Sequence, residues 1–108
     1  MRQLDVYMNG SYAGRLSECG PGRDYLFVYD KEYLAAAAAV SVSVNLPCRS
    51  EAFRSETLFP FFINILPEGA NKRALCRLCK VSESDAFGLL VAMSGADFIG
   101  AVSLKEVK

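Results

Sequence analysis

Leu4, Val6 and Met8 alternate with Asp5, Tyr7 and Asn9, the period-two pattern of a strand buried on one face, and Asn9-Gly10 then supplies the residues of a type I′ turn. This spacing predicts a hairpin in which Tyr12 to Leu16 return beside the first strand. A loop, Cys19-Gly20-Pro21-Gly22-Arg23, leads into Asp24 to Tyr29, where Tyr25, Phe27 and Tyr29 share one face and Leu26 and Val28 the other. That is a third strand, expected in the centre of the sheet. Asp30 is placed to cap a short helix over Lys31, Glu32, Tyr33 and Leu34, which the five alanines at 35–39 extend by propensity alone. From Val40 the run V-S-V-S-V is β-branched alternation and predicts a fourth strand, stopped at Pro47. Residues 48–54 read as a polar connector.

Thr57 to Gly69 is the densest run of large apolar side chains. Ser55-Glu56 is a plausible helix start, and Pro60 then falls in the first turn or kinks the helix, because a proline deeper in costs about 3 kcal/mol. Pro67 ends it and Gly69 frees the turn. On a helical wheel the apolar positions run nearly all the way round, so the helix is either wholly core or divided between the core and a partner. Leu58, Phe62, Ile65 and Leu66 fall on the core side, while Phe59 and Ile63 fall on the far side and are expected to be exposed. Residues 70–79 resume helical spacing, with Ala74, Leu75 and Leu78 on one side and Lys72, Arg73, Arg77 and Lys80 on the other. Ser82 with Asp85 resembles a capping box that opens a helix through Phe87, Leu90 and Met93, stopping at Gly95, and Ile99 to Leu104 is a last strand. With no βαβ alternation, the pattern predicts one α+β domain over residues 1–108: a small antiparallel sheet of about five strands, with three helices inserted before the last strand.

Composition narrows the function more than the fold. Hydrophobic residues are 52% and charged residues 22%, which excludes a disordered chain, and 12 basic against 12 acidic side chains leave no field that would steer the chain to nucleic acid or membrane. The N-terminus lacks an apolar stretch of signal-peptide length, and no segment approaches the roughly 20 apolar residues of a membrane span, so a cytoplasmic protein is expected. There is no histidine, which removes the usual member of catalytic triads, Cys-His dyads and most zinc sites. Cys76-x-x-Cys79 sits near a helix C-terminus, where a redox pair gains nothing from the dipole, and Cys19 and Cys48 lack paired spacing. The four read as ordinary reduced cysteines. Cys76 alone lies on the wheel among Lys72, Arg77 and Lys80, the position of an exposed thiol whose thiolate those cations would favour. Gly20-x-Gly22 lacks the lysine of a phosphate loop and reads as a turn. The carboxylates are scattered, so no catalytic residue, cofactor or metal ligand is assigned. The basic face of Lys72, Arg73, Arg77 and Lys80 suits a phosphate or an acidic protein surface, but a solvated face is the simpler reading at zero net charge without interleaved aromatics.

At Phe61-Phe62-x-Asn64-x-Leu66-Pro67-Glu68-Gly69 the sequence resembles the N-terminal subdomain of HipA-type serine/threonine kinases, the toxins of bacterial toxin–antitoxin systems. The opening Tyr7-Met8-Asn9-Gly10 with Gly14 and Leu16, then Val42-Ser43-Val44-x-Leu46-Pro47, and finally Gly95-x-Asp97-x-x-Gly100-Ala101-Val102, follow in the family's order and spacing. The resemblance covers nearly the whole chain and implies a small antiparallel sheet or partial barrel with helices. It departs from the family at Ile63, where relatives commonly carry a polar or acidic residue, and at Ala96, where a basic residue is common.

The resemblance further implies a function. In the family this subdomain is joined to a kinase core, whose phosphate-cradling loop, catalytic aspartate and metal-binding groups do not follow within these 108 residues, so no catalysis is expected. It is similar to the separately encoded, HipS-like antitoxin of tripartite systems, whose partners are a shortened HipA-type kinase and a helix-turn-helix DNA-binding protein of the same operon. The leading expectation is a non-catalytic subunit that binds and inhibits such a kinase, without direct nucleic-acid or membrane contact. One alternative is the structural N-terminal piece of a split kinase, which supports activity; a weaker one is a nucleic-acid-binding module using Lys72, Arg73, Arg77 and Lys80. The candidate partner-binding residues are Phe59, Ile63, Pro67, Glu68, Gly69, Lys72, Arg73 and Arg77. With no tryptophan in the chain, contact anchors fall to Phe, Tyr or Arg.

Overall fold

The computed structural model describes residues 2–20, 22–36, 39–94 and 102–107. Asn9 and Gly10 both take positive φ, 51° and 82°, the conformation a type I′ turn requires, and join β1 (Arg2–Met8) to β2 (Ser11–Gly20). Leu4 lies opposite Leu16, and a bulge falls between Val6 and Tyr7. The expected loop after Cys19 is shorter than its composition suggests, because β2 continues to Gly20, which pairs with Arg23 at the start of β3 (Arg23–Tyr29). α1 (Lys31–Ala35) follows, capped by the Asp30 carboxylate, which accepts the Tyr33 N–H at 3.2 Å. The chain then forms β4 (Phe53–Ser55), α2 (Pro60–Asn64), α3 (Gly69–Cys79), α4 (Ala86–Ala92) and β5 (Val102–Glu106). All strand pairs are antiparallel, in the order β4-β3-β2-β1-β5. The result is an α+β fold on an open five-stranded sheet, with β2 rather than β3 in the middle and α2, α3 and α4 inserted before β5. Among the described residues no helix is long and apolar enough to cross a membrane.

The strand expected at Val40 to Val44 does not form, and the sheet takes Phe53–Ser55, the end of the supposed polar connector and the supposed helix start, in its place. Phe53 decides this. Its ring packs 6.5 Å from Phe27 and 6.3 Å from Tyr29, and the Arg49 guanidinium covers it at 3.7 Å, burial that a valine cannot match. The V-S-V-S-V segment satisfies its backbone on tyrosine hydroxyls instead of a ladder. Tyr29 Oη accepts the Val42 N–H at 2.9 Å and donates to the Leu46 carbonyl, while Tyr33 Oη donates to and accepts from the Val40 backbone at 2.6 and 3.1 Å. The segment turns at Ser43 to Leu46, closed by Leu46 N–H to the Ser43 carbonyl at 3.0 Å.

The central apolar stretch is helical for only five residues. Pro60 opens α2 at a position where no N–H is needed, and Phe59 before it is extended, with φ −58° and ψ 135°. Ser55 ends β4 and starts no helix. Phe62 is fully buried, 6.0 Å from Phe27, and Leu58 and Leu66 are buried with it, whereas Ile65 is half-buried. α4 is capped by Asp85 and not by Ser82, whose hydroxyl accepts the Ser84 N–H. It buries Phe87, Leu89 and Leu90, with Phe87 stacked on Tyr25 at 6.1 Å. The expected stop at Gly95, residues 99–101 of the expected last strand and Gly95 to Ala101 of the family motif lie outside the described residues.

Candidate functional site

A groove of about 690 Å³ opens where the ends of β1, β2 and β3 meet α2 and the start of α4, and its polar wall is one ion network. Arg2 donates from Nε to Glu18 Oε1 at 2.7 Å and from Nη2 to Glu18 Oε2 at 2.8 Å, and reaches Asp85 through Nη1 at 3.0 Å and Nη2 at 2.8 Å. Tyr25 Oη donates to Glu18 Oε2 at 3.2 Å, and the Asp85 carboxylate accepts the Gly88 N–H at 3.0 Å. Glu18 is only 4% exposed, so these bonds take the place of the water its carboxylate oxygens lose on burial. The hydrogen bond to Arg2 holds Asp85 below the usual carboxylate range, and bonds to Asp85 and then Glu18 hold the Arg2 guanidinium charged more firmly than usual. Burial, reinforced by Glu18, pushes the Tyr25 phenol up.

α4 is shaped to this network. A Cβ on Gly88 would lie 2.2 Å from Asp85 Oδ2 and 2.9 Å from Arg2 Nη1. The Arg2 guanidinium also sits 5.3 Å from the centre of the Phe87 ring. Two bidentate carboxylate contacts occupy four of the five guanidinium N–H donors, and the network ties β1, β2 and β3 to a helix start. Its partners lie 16 and 83 residues apart in sequence. Only the Asp85 end had a local signal, its position before an apolar helical run.

The candidate partner-binding residues separate into two places. Phe59 is 8% exposed, which corrects the expectation of a surface residue: the wheel does not apply to an extended residue before the helix, and its ring packs against Phe62 at 6.5 Å. Ile63 is 45% exposed and lines the groove beside Leu58. Pro67 is half-buried, and Glu68 and Gly69 are exposed, Gly69 entering α3 with φ 59°.

On α3 the buried stripe is rotated from the expected one. Lys72, Leu75, Cys76 and Cys79 turn inward by degrees, Cys76 being 5% exposed, while Ala74 is exposed and Leu78 is 81% exposed. The cause is the turn after the helix: Lys80 takes φ 57° and the Val81 N–H bonds back to the Cys76 carbonyl at 2.9 Å, folding the chain over that side. Cys76 is therefore a buried thiol and not the exposed one its cationic neighbours suggested. Arg73, Arg77 and Lys80 remain exposed and line a notch of about 600 Å³ with Cys76, Val81, Ser82 and Glu83. Among the described residues none of these three cations makes an ion pair; the pairs are Arg2 with Glu18 and Asp85, Arg15 with Asp5, and Arg23 with Asp24.

Comparison with known proteins extends the local picture. The sequence model of the HipA N-terminal domain matches residues 4–105. A Haemophilus influenzae protein, "Uncharacterized protein", is 32% identical over 108 residues, covering 100% of this chain and 95% of its own. A Sinorhizobium fredii protein, "Putative kinase Y4mE", is 31% identical over 104 residues, which are 96% of this chain and 24% of that one. This chain thus spans about a quarter of the length of that relative. Among solved structures, the N-terminal domain of HipA toxin superposes with a TM-score of 0.74 at 28% identity, over 100% of this chain and 94% of that one.

Proposed function

The chain belongs to the HipA N-terminal domain family, and on that premise we propose that it acts without catalysis, as an antitoxin subunit that binds a HipA-type serine/threonine kinase and inhibits it. The observation that carries this reading is the contrast between two relatives. The Haemophilus protein matches along 95% of its length, so the domain occurs there nearly alone, whereas in the Sinorhizobium protein it is 24% of a chain named for kinase activity. A surface that packs a domain against a kinase within one polypeptide can do so between two, and occupancy of the kinase then requires no chemistry from the small subunit. The groove rim at Ile63, the Pro67-Glu68-Gly69 turn and the cations Arg73 and Arg77 are the surfaces we assign to that contact. In this reading the kinase is a shortened one, DNA contact belongs to a helix-turn-helix protein of the same operon, and the complex works in the cytoplasm.

The Sinorhizobium match also favours a second reading, in which the chain completes a split kinase and supports its activity. Autophosphorylation of a shortened HipA-type kinase, sought first among the neighbouring genes, separates the two. Under the antitoxin reading, phosphate incorporation falls as the chain is added up to stoichiometric amounts; a rise in incorporation would sink it in favour of the second.

A further inference from the structure

We infer that the notch at the C-terminal end of α3 docks an acidic segment of the partner protein, a stretch with one apolar side chain flanked by carboxylates; the inference rests on the kinase-partner reading above. Three cations, Arg73, Arg77 and Lys80, face one carboxylate, Glu83, so the lining carries three positive charges less one negative, a local +2 in a chain of formal net charge zero. Elsewhere four of the five other arginines are occupied within the molecule, Arg2, Arg15 and Arg23 by carboxylates and Arg49 by the Phe53 ring, and the fifth, Arg54, stands exposed on β4 apart from other cations without a carboxylate in contact among the described residues. Only here do several cations stand together without such a partner among the described residues.

Arg73 and Arg77 follow at i and i+4 on one side of α3, and Lys80, the left-handed residue that closes the helix, joins them in the lining of the notch. The notch also holds apolar surface, with Cys76 buried in it and Val81 half-buried beside it. An apolar pocket with a cationic rim selects an apolar side chain carried between carboxylates. The position disfavours a compact phosphate: at the C-terminal end of a helix the dipole presents its negative pole, so an anion gains more by lying along the side-chain row than by seating at the helix end. Nucleic acid is disfavoured too, because no aromatic residue lines the notch to stack a base and the whole chain offers no positive field.

The experiment uses the full chain and the HipA-type kinase of the autophosphorylation test, with affinity measured by calorimetry at low and high salt. Arg73→Glu/Arg77→Glu should weaken binding about tenfold or more and flatten the salt dependence. Arg23→Glu/Arg54→Glu, which changes the net charge equally at two other exposed positions, should leave binding within about threefold. Thermal melts by circular dichroism check that both variants are folded. A synthetic peptide with one leucine between glutamates should bind the parent chain and not the Arg73/Arg77 variant, and its lysine counterpart should bind neither. Equal affinity of parent and Arg73/Arg77 variant for the kinase overturns the notch while leaving the kinase reading intact. A parent chain that binds no kinase overturns both. Tighter binding of inorganic phosphate or a DNA duplex than of the acidic peptide overturns the assignment to a protein segment.

Discussion

Arg2 commits its guanidinium to Glu18 and Asp85 although its side chain is 39% exposed, whereas Arg77 presents the same group to solvent on the side of α3 with no carboxylate in ion-pair contact among the described residues. Both lie next to a helix terminus, Arg2 against the start of α4 and Arg77 in the last turn of α3. The difference lies in what the surrounding chain supplies. Around Arg2 the sheet and the α4 cap bring two acceptors to fixed positions, and the charge becomes architecture, holding a helix to three strands. Around Arg77 the fold provides cations of the same sign and an apolar hollow, an arrangement that adds little to stability and leaves charge for another molecule. Charge satisfied within the fold and charge left unmatched thus mark different jobs in one small chain.

The comparison breaks most sharply at Glu18. Glu18→Ala removes a carboxylate that is 4% exposed and strips partners from both Arg2 and the Tyr25 hydroxyl, so urea denaturation should show a loss of about 2 to 3 kcal/mol. Gly88→Ala should follow, at about 1 to 2 kcal/mol, even though alanine is the better helix former, because Asp85 and Arg2 can clear the new methyl only by giving up the cap or the ion pair. Acidification probes the same network more gently. Asp85 is held below its unfolded value by Arg2, so its contribution is complete above the ordinary carboxylate range of about 4 and is lost as pH falls through the lowered folded value. The urea midpoint should therefore drop with pH in that window, and Asp85→Asn should flatten the slope. The smallest effect has the opposite sign. Lys80 occupies a left-handed position that suits glycine, and Lys80→Gly should raise stability by about 0.5 to 1 kcal/mol in the same denaturation assay while lowering the charge of the notch.

Local rules carried the sequence reading a long way and failed where partners are remote. The Asn9-Gly10 hairpin, the third strand and the α3 span were legible because turn chemistry and periodicity act within a few residues. The V-S-V-S-V run misled because alternation marks a strand only when a neighbour offers a free edge, and β3 gave that edge to Phe53. Phe59 misled because Pro60 sets where helical geometry begins, which takes the preceding residue off the wheel. Of the groove, Asp85 as a residue before a helix and Ile63 as an exposed apolar position were visible. Arg2 and Glu18 are unremarkable in sequence, and what joins them to Asp85 is sheet register plus a contact spanning 83 residues. The basic row on α3 was readable, but the burial of Cys76 depends on a turn at a lysine that no glycine announced.

The clamp formed by Tyr29 has a consequence for how the molecule coexists with its own copies. Val40 to Val44 is uncharged, β-branched at every second position and free of proline, the composition of a segment that stacks into intermolecular sheets when its backbone is available. The Val42 N–H and the Leu46 carbonyl are groups that a strand from a second copy would seek, and the Tyr29 hydroxyl occupies both. The Tyr29 phenol oxygen, helped by that of Tyr33 at Val40, therefore keeps an aggregation-prone stretch folded as a turn, and its removal in Tyr29→Phe is expected to be felt in solubility before it is felt in the core.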